Sequence, residues 1–338
     1  MSILTSKKFA LLLVSLMVMI VLLAACGDNN TSNGENTVTP PVETNAGNNS
    51  ENEVDPAPVA PVERTLTDAL GNEVTIPADP QRIIAAYLED HLVALGVKPV
   101  AQWSVPNGIQ DYLQKDLEGI PTISYGLPFE EVLSFTPDLL ILAYNAEAEG
   151  DKYAQYAKIA PTYVLGDETN NDWRKALLKV GDILGKSEEA QKALDQYEAK
   201  AKEAKEKLQA GGAQSASAIW LIQKNFYVVS DKASSGAVLY NDLGLTAPDV
   251  VKEISLTGTG NWNAISLEEL AEMNVDNIFL INGDKGDGAE TLKDPLWQNI
   301  PAVKNGKVFE MDSAGSWLYS GSIANSQIID DVLASLVK

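Results

Sequence analysis

The chain carries few side chains whose chemistry is reactive. Cys26 is its only thiol and His91 its only imidazole among 338 residues. One imidazole cannot supply the several histidines that zinc and manganese sites typically use. The chain has no Gly-x-Ser-x-Gly nucleophile motif, and Gly258-Thr259-Gly260 lacks the following glycine of a phosphate-binding loop. The sequence therefore predicts no catalytic residue, no metal ligands and no resident cofactor, and we expect the protein not to be an enzyme.

The residues before Cys26 are typical of an export signal. Lys7 and Lys8 precede an apolar run that ends in Leu23-Ala24-Ala25-Cys26. That string resembles the bacterial lipobox, whose cysteine thiol accepts a diacylglycerol. We expect residues 1–25 to be a lipoprotein signal peptide and Cys26 to anchor the acylated chain on the extracellular face of the cell membrane, as in Gram-positive bacteria. The alternative is a transmembrane anchor, but the run is short for a span of about 20 residues.

The net negative charge of the chain bears on the classes of partner that it can bind. Without the signal peptide the formal charge is −24, from 23 basic and 47 acidic residues. Such a surface repels nucleic acid, so we expect no nucleic-acid partner. Residues 26–63 hold seven acidic residues, no Lys or Arg and almost no large apolar side chains. They cannot bury a core, so we expect a disordered tether there.

From Arg64 onward, short apolar segments alternate with helical ones, which indicates an α/β fold with a mostly parallel sheet. We predict strands at 64–68, 74–77, 82–86, 99–103, 138–142, 162–165, 216–222, 227–229, 276–281 and 307–310. We predict helices at 90–95, 129–135, 171–184, 187–209, 237–243, 267–273 and 324–337.

The helix predicted over 187–209 divides the chain. It would span about 35 Å and is mostly polar, which is typical of a bridge between two bodies. We therefore expect an N-terminal α/β lobe at 64–170, an inter-lobe helical region at 171–210 and a C-terminal α/β lobe at 211–338. The segments 130–141 and 268–279 repeat one pattern of helix, short link, Asp and strand, so each lobe is expected to carry the same unit.

This organisation resembles a known family, the substrate-binding proteins of ABC importers for iron–siderophores, vitamin B12 and haem. The resemblance begins near Arg64 and rests on short strings in a fixed order: Asp68–Pro77, Pro80–Ile83, Ala94–Val100, Thr136–Leu140, Leu296–Val308 and Ile328–Val332. It implies a class III periplasmic-binding-protein fold, with two Rossmann-like lobes joined by a rigid backbone helix. It also implies an ABC permease and its ATPase as partners, and we expect a monomer.

The resemblance implies two docking residues. In the family, one Glu per lobe pairs with arginines of the permease and stands seven residues before the Pro of a Pro-Asp pair. Glu130 has this spacing from Pro137, and the same count from Val275 gives Glu268. The alternative is that both are solvated carboxylates in a first helical turn, where the helix dipole favours them.

Ligands of doubly wound lobes meet the loops at the carboxyl ends of the strands. Aromatic and cationic side chains in such loops are harder to explain by core packing than those within strands. We therefore expect ligand contacts from Tyr87, Trp103, Tyr125, Tyr144, Lys224, Phe226, Trp262, Trp317 and Tyr319.

Charge bears on the choice of ligand. An anionic ferric catecholate or citrate requires several Lys or Arg in the cleft. The chain has only three arginines, none clearly on a cleft loop, and its nearest cationic candidates are Lys224, Lys232 and Lys285. An aromatic, weakly basic cleft favours a neutral or mildly cationic ferric hydroxamate. Hydroxamate binders often carry Arg-Gly where this chain has Ser235-Gly236, so haem, cobalamin, catecholate or citrate receptors and a non-transport surface lipoprotein remain alternatives.

Overall fold

A computed structural model describes residues 62–106, 108–213, 215–257, 260–284 and 286–337. Cys26, the predicted signal peptide and nearly all of the predicted tether lie outside these ranges. Within them, no helix is both long enough and apolar enough to cross a membrane.

The N-terminal lobe is built on two small sheets and a hairpin. Its elements are β1 (Arg64–Thr67), β2 (Glu73–Ile76), β3 (Ile83–Ile84), α1 (Glu89–Ala94), β4 (Gln102–Val105), β5 (Gly108–Ile109), α2 (Gln114–Leu117), β6 (Thr122–Ser124), α3 (Phe129–Ser134), β7 (Leu139–Leu142), α4 (Lys152–Tyr156), β8 (Thr162–Val164) and α5 (Asp167–Asn170). Strands β3, β7 and β8 form one parallel sheet, in that order. Strand β4 pairs in parallel with β6 and antiparallel with β5.

The hairpin of β1 and β2 is held by one buried carboxylate. Asp68 accepts the backbone N–H of Leu70 at 2.9 Å and that of Asn72 at 2.8 Å, so its side chain closes the turn. The Arg64 guanidinium donates to the carbonyl oxygens of Asp182 and Ile183, at 2.8 Å each. The hairpin is thereby fixed to the helical region that follows the lobe.

Two helices, α6 (Trp173–Leu184) and α7 (Ser187–Ala210), follow the N-terminal lobe. The 24 residues of α7 confirm the predicted long helix and give it a length of about 36 Å. Its buried face is narrow and rich in alanine: Ala190, Tyr197, Ala201, Ala204 and Leu208. Small side chains let neighbouring elements approach the helix closely, so one thin stripe suffices to pack it.

The C-terminal lobe has one five-stranded mixed sheet. Its elements are β9 (Ala216–Ile222), β10 (Asn225–Val229), α8 (Ser234–Gly236), α9 (Asp249–Thr257), β11 (Trp262–Ile265), α10 (Leu267–Ala271), β12 (Asn277–Asn282), α11 (Pro295–Asn299), α12 (Pro301–Lys304), β13 (Val308–Met311) and α13 (Ser322–Leu336). The strand order is β11-β10-β9-β12-β13. Strands β9, β12 and β13 are parallel, whereas β10 and β11 are antiparallel additions.

The structure departs from the prediction at several elements. Strand β11 and helix α9 were not predicted, and β10 begins two residues earlier than expected. The helix predicted at 237–243 is a π-helix over Ala237–Asp242. Helix α13 closes the chain by packing against both α7 and α1, so it connects the C-terminal lobe to the N-terminal one.

Candidate functional site

A cavity of about 300 Å³ lies where the two lobes meet, and we call it the inter-lobe cavity. Both lobes line it with mostly polar, uncharged side chains. Its lining residues are Tyr87, His91, Gln110, Tyr144, Asn170, Asn171, Trp173, Ser230, Lys232, Ala233, Ile254, Ser255, Gly260, Asn261, Leu318, Tyr319 and Ser320. The cavity therefore offers phenol, amide and hydroxyl groups to a ligand.

An aromatic row crosses from one lobe to the other beside the cavity. The ring centre of Tyr87 lies 5.1 Å from that of Trp103 and 6.3 Å from that of Tyr319. Tyr319 in turn lies 5.1 Å from the ring of Tyr112. Burial, together with the nearby Tyr144, Tyr319 and Glu89, raises the pKa of Tyr87, so its phenol stays neutral. Such a row presents ring faces and neutral hydroxyl groups.

Three ionisable residues at the start of α1 lie beneath this row. Glu89, Asp90 and His91 are all nearly fully buried. Burial raises the pKa of Glu89 to about 7 and that of Asp90 to about 6, although hydrogen bonds to each carboxyl group partly offset this. Burial also lowers the pKa of His91 to about 4, so its imidazole is neutral near pH 7. This part of the site thus carries little positive charge.

Lys232 is the one cationic side chain among the described residues that line the inter-lobe cavity. Its ammonium group donates to the Ser255 carbonyl oxygen at 2.5 Å. The three arginines are engaged elsewhere: Arg64 with the end of α6, Arg82 with the Thr136 carbonyl at 2.8 Å, and Arg174 with Glu198 and Asp242. A ligand in the cavity therefore meets at most one full positive charge.

Three of the nine predicted ligand residues, Tyr87, Tyr144 and Tyr319, line the cavity. Trp103 lies one ring away, packed on Tyr87. Tyr125 is 61% exposed and does not line the cavity. The structure thus brings together the candidate that follows β3, the candidate that follows β7 and the one in the loop before α13.

Lys224 and Phe226 do not line the inter-lobe cavity. Lys224 occupies the turn before β10, whereas the cavity residue Ser230 follows the other end of that strand. The two ends of a five-residue strand are about 17 Å apart. Phe226 is 4% exposed and stacks on Trp297 with ring centres 5.3 Å apart. It belongs to the core beneath the sheet.

Trp317 and Trp262 also differ from expectation. Trp317 is 1% exposed, stacks on Phe279 and donates its indole N–H to Asp331 at 2.8 Å, so it packs as a core residue. Trp262 belongs to β11 and not to a loop, and its ring packs against Trp220. Its neighbour Asn261 lines the cavity instead.

The two predicted docking residues occupy equivalent places. Glu130 lies in the first turn of α3 and Glu268 in the first turn of α10. Both side chains are exposed. Each is followed by a second glutamate that is engaged locally: Glu131 accepts the Ser124 N–H, and Glu269 forms a capping box with Ser266. Neither Glu130 nor Glu268 has such a partner among the described residues, so both carboxylates are free.

Comparison with known proteins decides the family. A profile described as periplasmic binding protein matches residues 86–314. The chain belongs to the periplasmic binding protein family. The matched segment includes Tyr87, Trp103 and Tyr112 of the aromatic row, the long helix α7 and all five strands of the C-terminal sheet, and it ends before Tyr319.

Relatives of this binding protein span most of its length. The iron(3+)-hydroxamate-binding protein YxeB of Bacillus subtilis is 28% identical over 81% of this chain and 85% of its own. The iron(3+)-hydroxamate-binding protein FhuD of the same organism is 29% identical over 86% of this chain and 92% of its own.

Solved structures share the fold. A Bacillus subtilis binding protein of a ferrichrome ABC transporter has a TM-score of 0.68 at 26% identity, and the match covers 81% of this chain and 100% of that one. Staphylococcus aureus SirA, solved with staphyloferrin B, has a TM-score of 0.67 at 26% identity and covers 81% of this chain and 98% of its own. The predicted class III fold of two α/β lobes and a backbone helix is thereby confirmed.

Sequence reasoning missed much of the polar lining of the binding protein. Asn170 and Asn171 lie just beyond β8, so the rule on carboxyl ends of strands could have found them. Gln110 and Asn261 flank short strands that are recognisable only from their pairing. His91, which the sequence singled out only as the one imidazole, is buried and also lines the cavity.

Proposed function

We propose that this binding protein captures a ferric siderophore of the hydroxamate type in the inter-lobe cavity and delivers it to the permease of an ABC importer. The observation that carries the proposal is the chemistry of the lining: neutral phenol, amide and hydroxyl groups with Lys232 as the one cation. The proposal is also supported by two relatives that are named for binding iron(3+)-hydroxamates.

The charge of the cavity favours hydroxamates over catecholates and citrates. A ferric trihydroxamate is close to neutral, whereas a ferric tris-catecholate carries several negative charges that call for charge-assisted hydrogen bonds. Arg174 cannot supply one, because both of its partners, Glu198 and Asp242, are carboxylates outside the cavity. Ser235, at the place where an arginine often stands in hydroxamate binders, is fully buried. Neutral donors and ring faces suit the uncharged complex.

Delivery would use the two free carboxylates, Glu130 and Glu268, as docking points for arginines of the permease. Their equivalent positions in α3 and α10 give the binding protein one anchor in each lobe. The permease with its ATPase, attachment to the membrane through Cys26 and a monomeric state complete the proposal. In this arrangement the predicted tether of 26–63 would keep the receptor near the membrane.

Tryptophan fluorescence tests the proposal, because Trp103 packs on the cavity residue Tyr87. The full chain is titrated with a ferric trihydroxamate, a ferric tris-catecholate, ferric citrate, haem and cobalamin. The proposal predicts quenching by the trihydroxamate at sub-micromolar concentration. Quenching by another chelate at lower concentration would mean that the protein is a receptor for that class of chelate. If no chelate quenches the fluorescence, the proposed transport function is wrong.

A further inference from the structure

Helix α13 takes its N-terminal cap from the opposite lobe. Gly321 precedes the helix, and no local side chain caps it. Asp90 of α1 does so instead: its Oδ1 accepts the Ile323 N–H at 3.1 Å and its Oδ2 accepts the Ala324 N–H at 2.9 Å. A carboxylate at a helix N-terminus satisfies otherwise unpaired N–H groups and is favoured by the helix dipole. The cap is therefore also a bond between the lobes.

Gly321 is what allows this approach. A Cβ atom at this position would lie 2.2 Å from both Cγ and Oδ1 of Asp90, far inside van der Waals contact. The φ angle of Gly321 is +150°, a value that side chains rarely allow. The close packing of Asp90 against the start of α13 therefore requires glycine at position 321.

The same carboxylate is connected to the aromatic row. The Tyr112 hydroxyl donates to Oδ2 of Asp90 at 3.1 Å, and the Tyr112 ring packs on Tyr319 at 5.1 Å. Tyr319 and Ser320 lead directly into Gly321 and α13. Asp90 therefore holds Tyr319 from two sides, through the backbone of α13 and through the ring of Tyr112.

We infer that Asp90 is the positioning residue of the inter-lobe cavity: by capping α13 across the lobes it fixes Tyr319 opposite Tyr87, without touching the ligand. This inference rests on the proposed function, because it assigns a role in ligand binding to the cavity. Asp90 itself does not line the cavity, whereas its neighbour His91 does.

The surroundings of Asp90 require a carboxylate. Its hydrogen-bond partners Ile323, Ala324 and Tyr112 all act as donors. An Asn side chain has one acceptor oxygen and would turn its NH2 group toward at least one donor. An apolar side chain at this position would leave the Ile323 and Ala324 N–H groups without this acceptor. The carboxylate thus fixes the start of α13 relative to α1.

The test compares Asp90→Asn with Asp68→Asn in the full chain. Asp68 is the matched control, because it is also buried and accepts backbone N–H groups, those of Leu70, Asn72 and Val164, but it closes the β1–β2 turn. For Asp90→Asn we expect the Kd for a ferric trihydroxamate to rise by about tenfold or more. We also expect faster hydrogen exchange in residues 318–326, which a general loss of stability would not confine to that segment. For Asp68→Asn we expect a Kd within about twofold of wild type.

A folded Asp90→Asn with wild-type Kd and unchanged exchange in 318–326 overturns the inference. If Asp90→Asn does not fold, Tyr112→Phe is tested in its place, because it removes only the hydrogen bond from Tyr112 to Asp90. A Kd raised by about threefold supports the inference, whereas a wild-type Kd overturns it. If the wild-type chain binds no chelate, the proposed function fails, and the exchange of 318–326 in Asp90→Asn or Tyr112→Phe then decides the inference alone.

Discussion

The ring of Tyr87 in the N-terminal lobe lies 6.3 Å from the ring of Tyr319 in the C-terminal lobe, measured between ring centres. The two tyrosines line the same cavity. A ligand between the lobes would therefore touch one aromatic face from each, and a change in lobe geometry would alter both contacts.

Replacing Tyr319 should weaken ligand binding. In Tyr319→Ala the aromatic row loses its contacts to both Tyr87 and Tyr112. We expect the Kd for a ferric trihydroxamate to rise by about tenfold, the equivalent of about 1.4 kcal/mol. Isothermal titration calorimetry measures this directly. Tyr125→Ala is the matched control, since Tyr125 is exposed and outside the cavity lining, and equal losses in both variants would contradict the proposed site.

Replacing Lys232 should affect charged ligands more than neutral ones. Lys232→Met removes the cation of the cavity lining. A charge-assisted hydrogen bond contributes about 1.5–3 kcal/mol, so we expect affinity for an anionic chelate such as ferric citrate to fall by about tenfold or more. Affinity for a neutral trihydroxamate should change little. Lys224→Met, in the turn before β10, should change neither affinity. Competition binding with the two chelates measures both affinities. A larger loss for the trihydroxamate than for ferric citrate in Lys232→Met would contradict the prediction.

The buried carboxyl group of Glu89 should make stability depend on pH. Burial raises its pKa from 4.5 to about 7, so the folded state holds this proton more tightly than the unfolded state. Its favourable contribution is therefore complete below pH 4.5 and is lost as the pH rises through 7. Glu89→Gln should flatten the decline in unfolding free energy between pH 5 and pH 8, by at most about 3 kcal/mol.

Urea unfolding of both proteins at several pH values checks this prediction. Gln keeps an acceptor for the Trp103 N–H, which Glu89 now binds at 2.6 Å, so local structure should survive. If the unfolding free energy of wild type and of Glu89→Gln depends on pH in the same way, this carboxyl group does not titrate as its burial implies.

Removing both docking carboxylates should separate uptake from binding. Glu130→Ala combined with Glu268→Ala should leave the Kd unchanged, because both side chains are exposed and neither lines the cavity. Iron uptake by cells that depend on this receptor should be lost. The control is Glu118→Ala with Glu206→Ala, two exposed glutamates outside α3 and α10. Uptake that persists in the first double variant would remove the docking assignment.

The sequence predicted the fold more fully than the site. Helix α7 was found within one residue because its polar face, its acidic first turn and its Gly211-Gly212 end are all local signals. Tyr87 and Tyr144 were found because they follow parallel strands, whose carboxyl ends share one edge. These features depend on neighbouring residues, which the sequence displays directly.

The errors arose where pairing at long range decides the structure. Phe226 was assigned to a loop because β10 was expected to start at Tyr227, and a shift of two residues turned a core side chain into a candidate contact. Trp262 was assigned to a Gly-rich loop because β11 forms only through its pairing with β10. The cap of α13 by Asp90 has no local signal either, since its partners lie at opposite ends of the folded chain.

Equilibrium dialysis with a radiolabelled ferric trihydroxamate tests the central claim most directly, since it counts bound iron without relying on a spectroscopic change. The proposal predicts retention of one iron per chain at sub-micromolar free ligand, with Tyr319→Ala retaining less at the same concentration. Retention of no iron by the wild-type chain, or equal retention by wild type and Tyr319→Ala, would contradict the assignment of the inter-lobe cavity as a siderophore site.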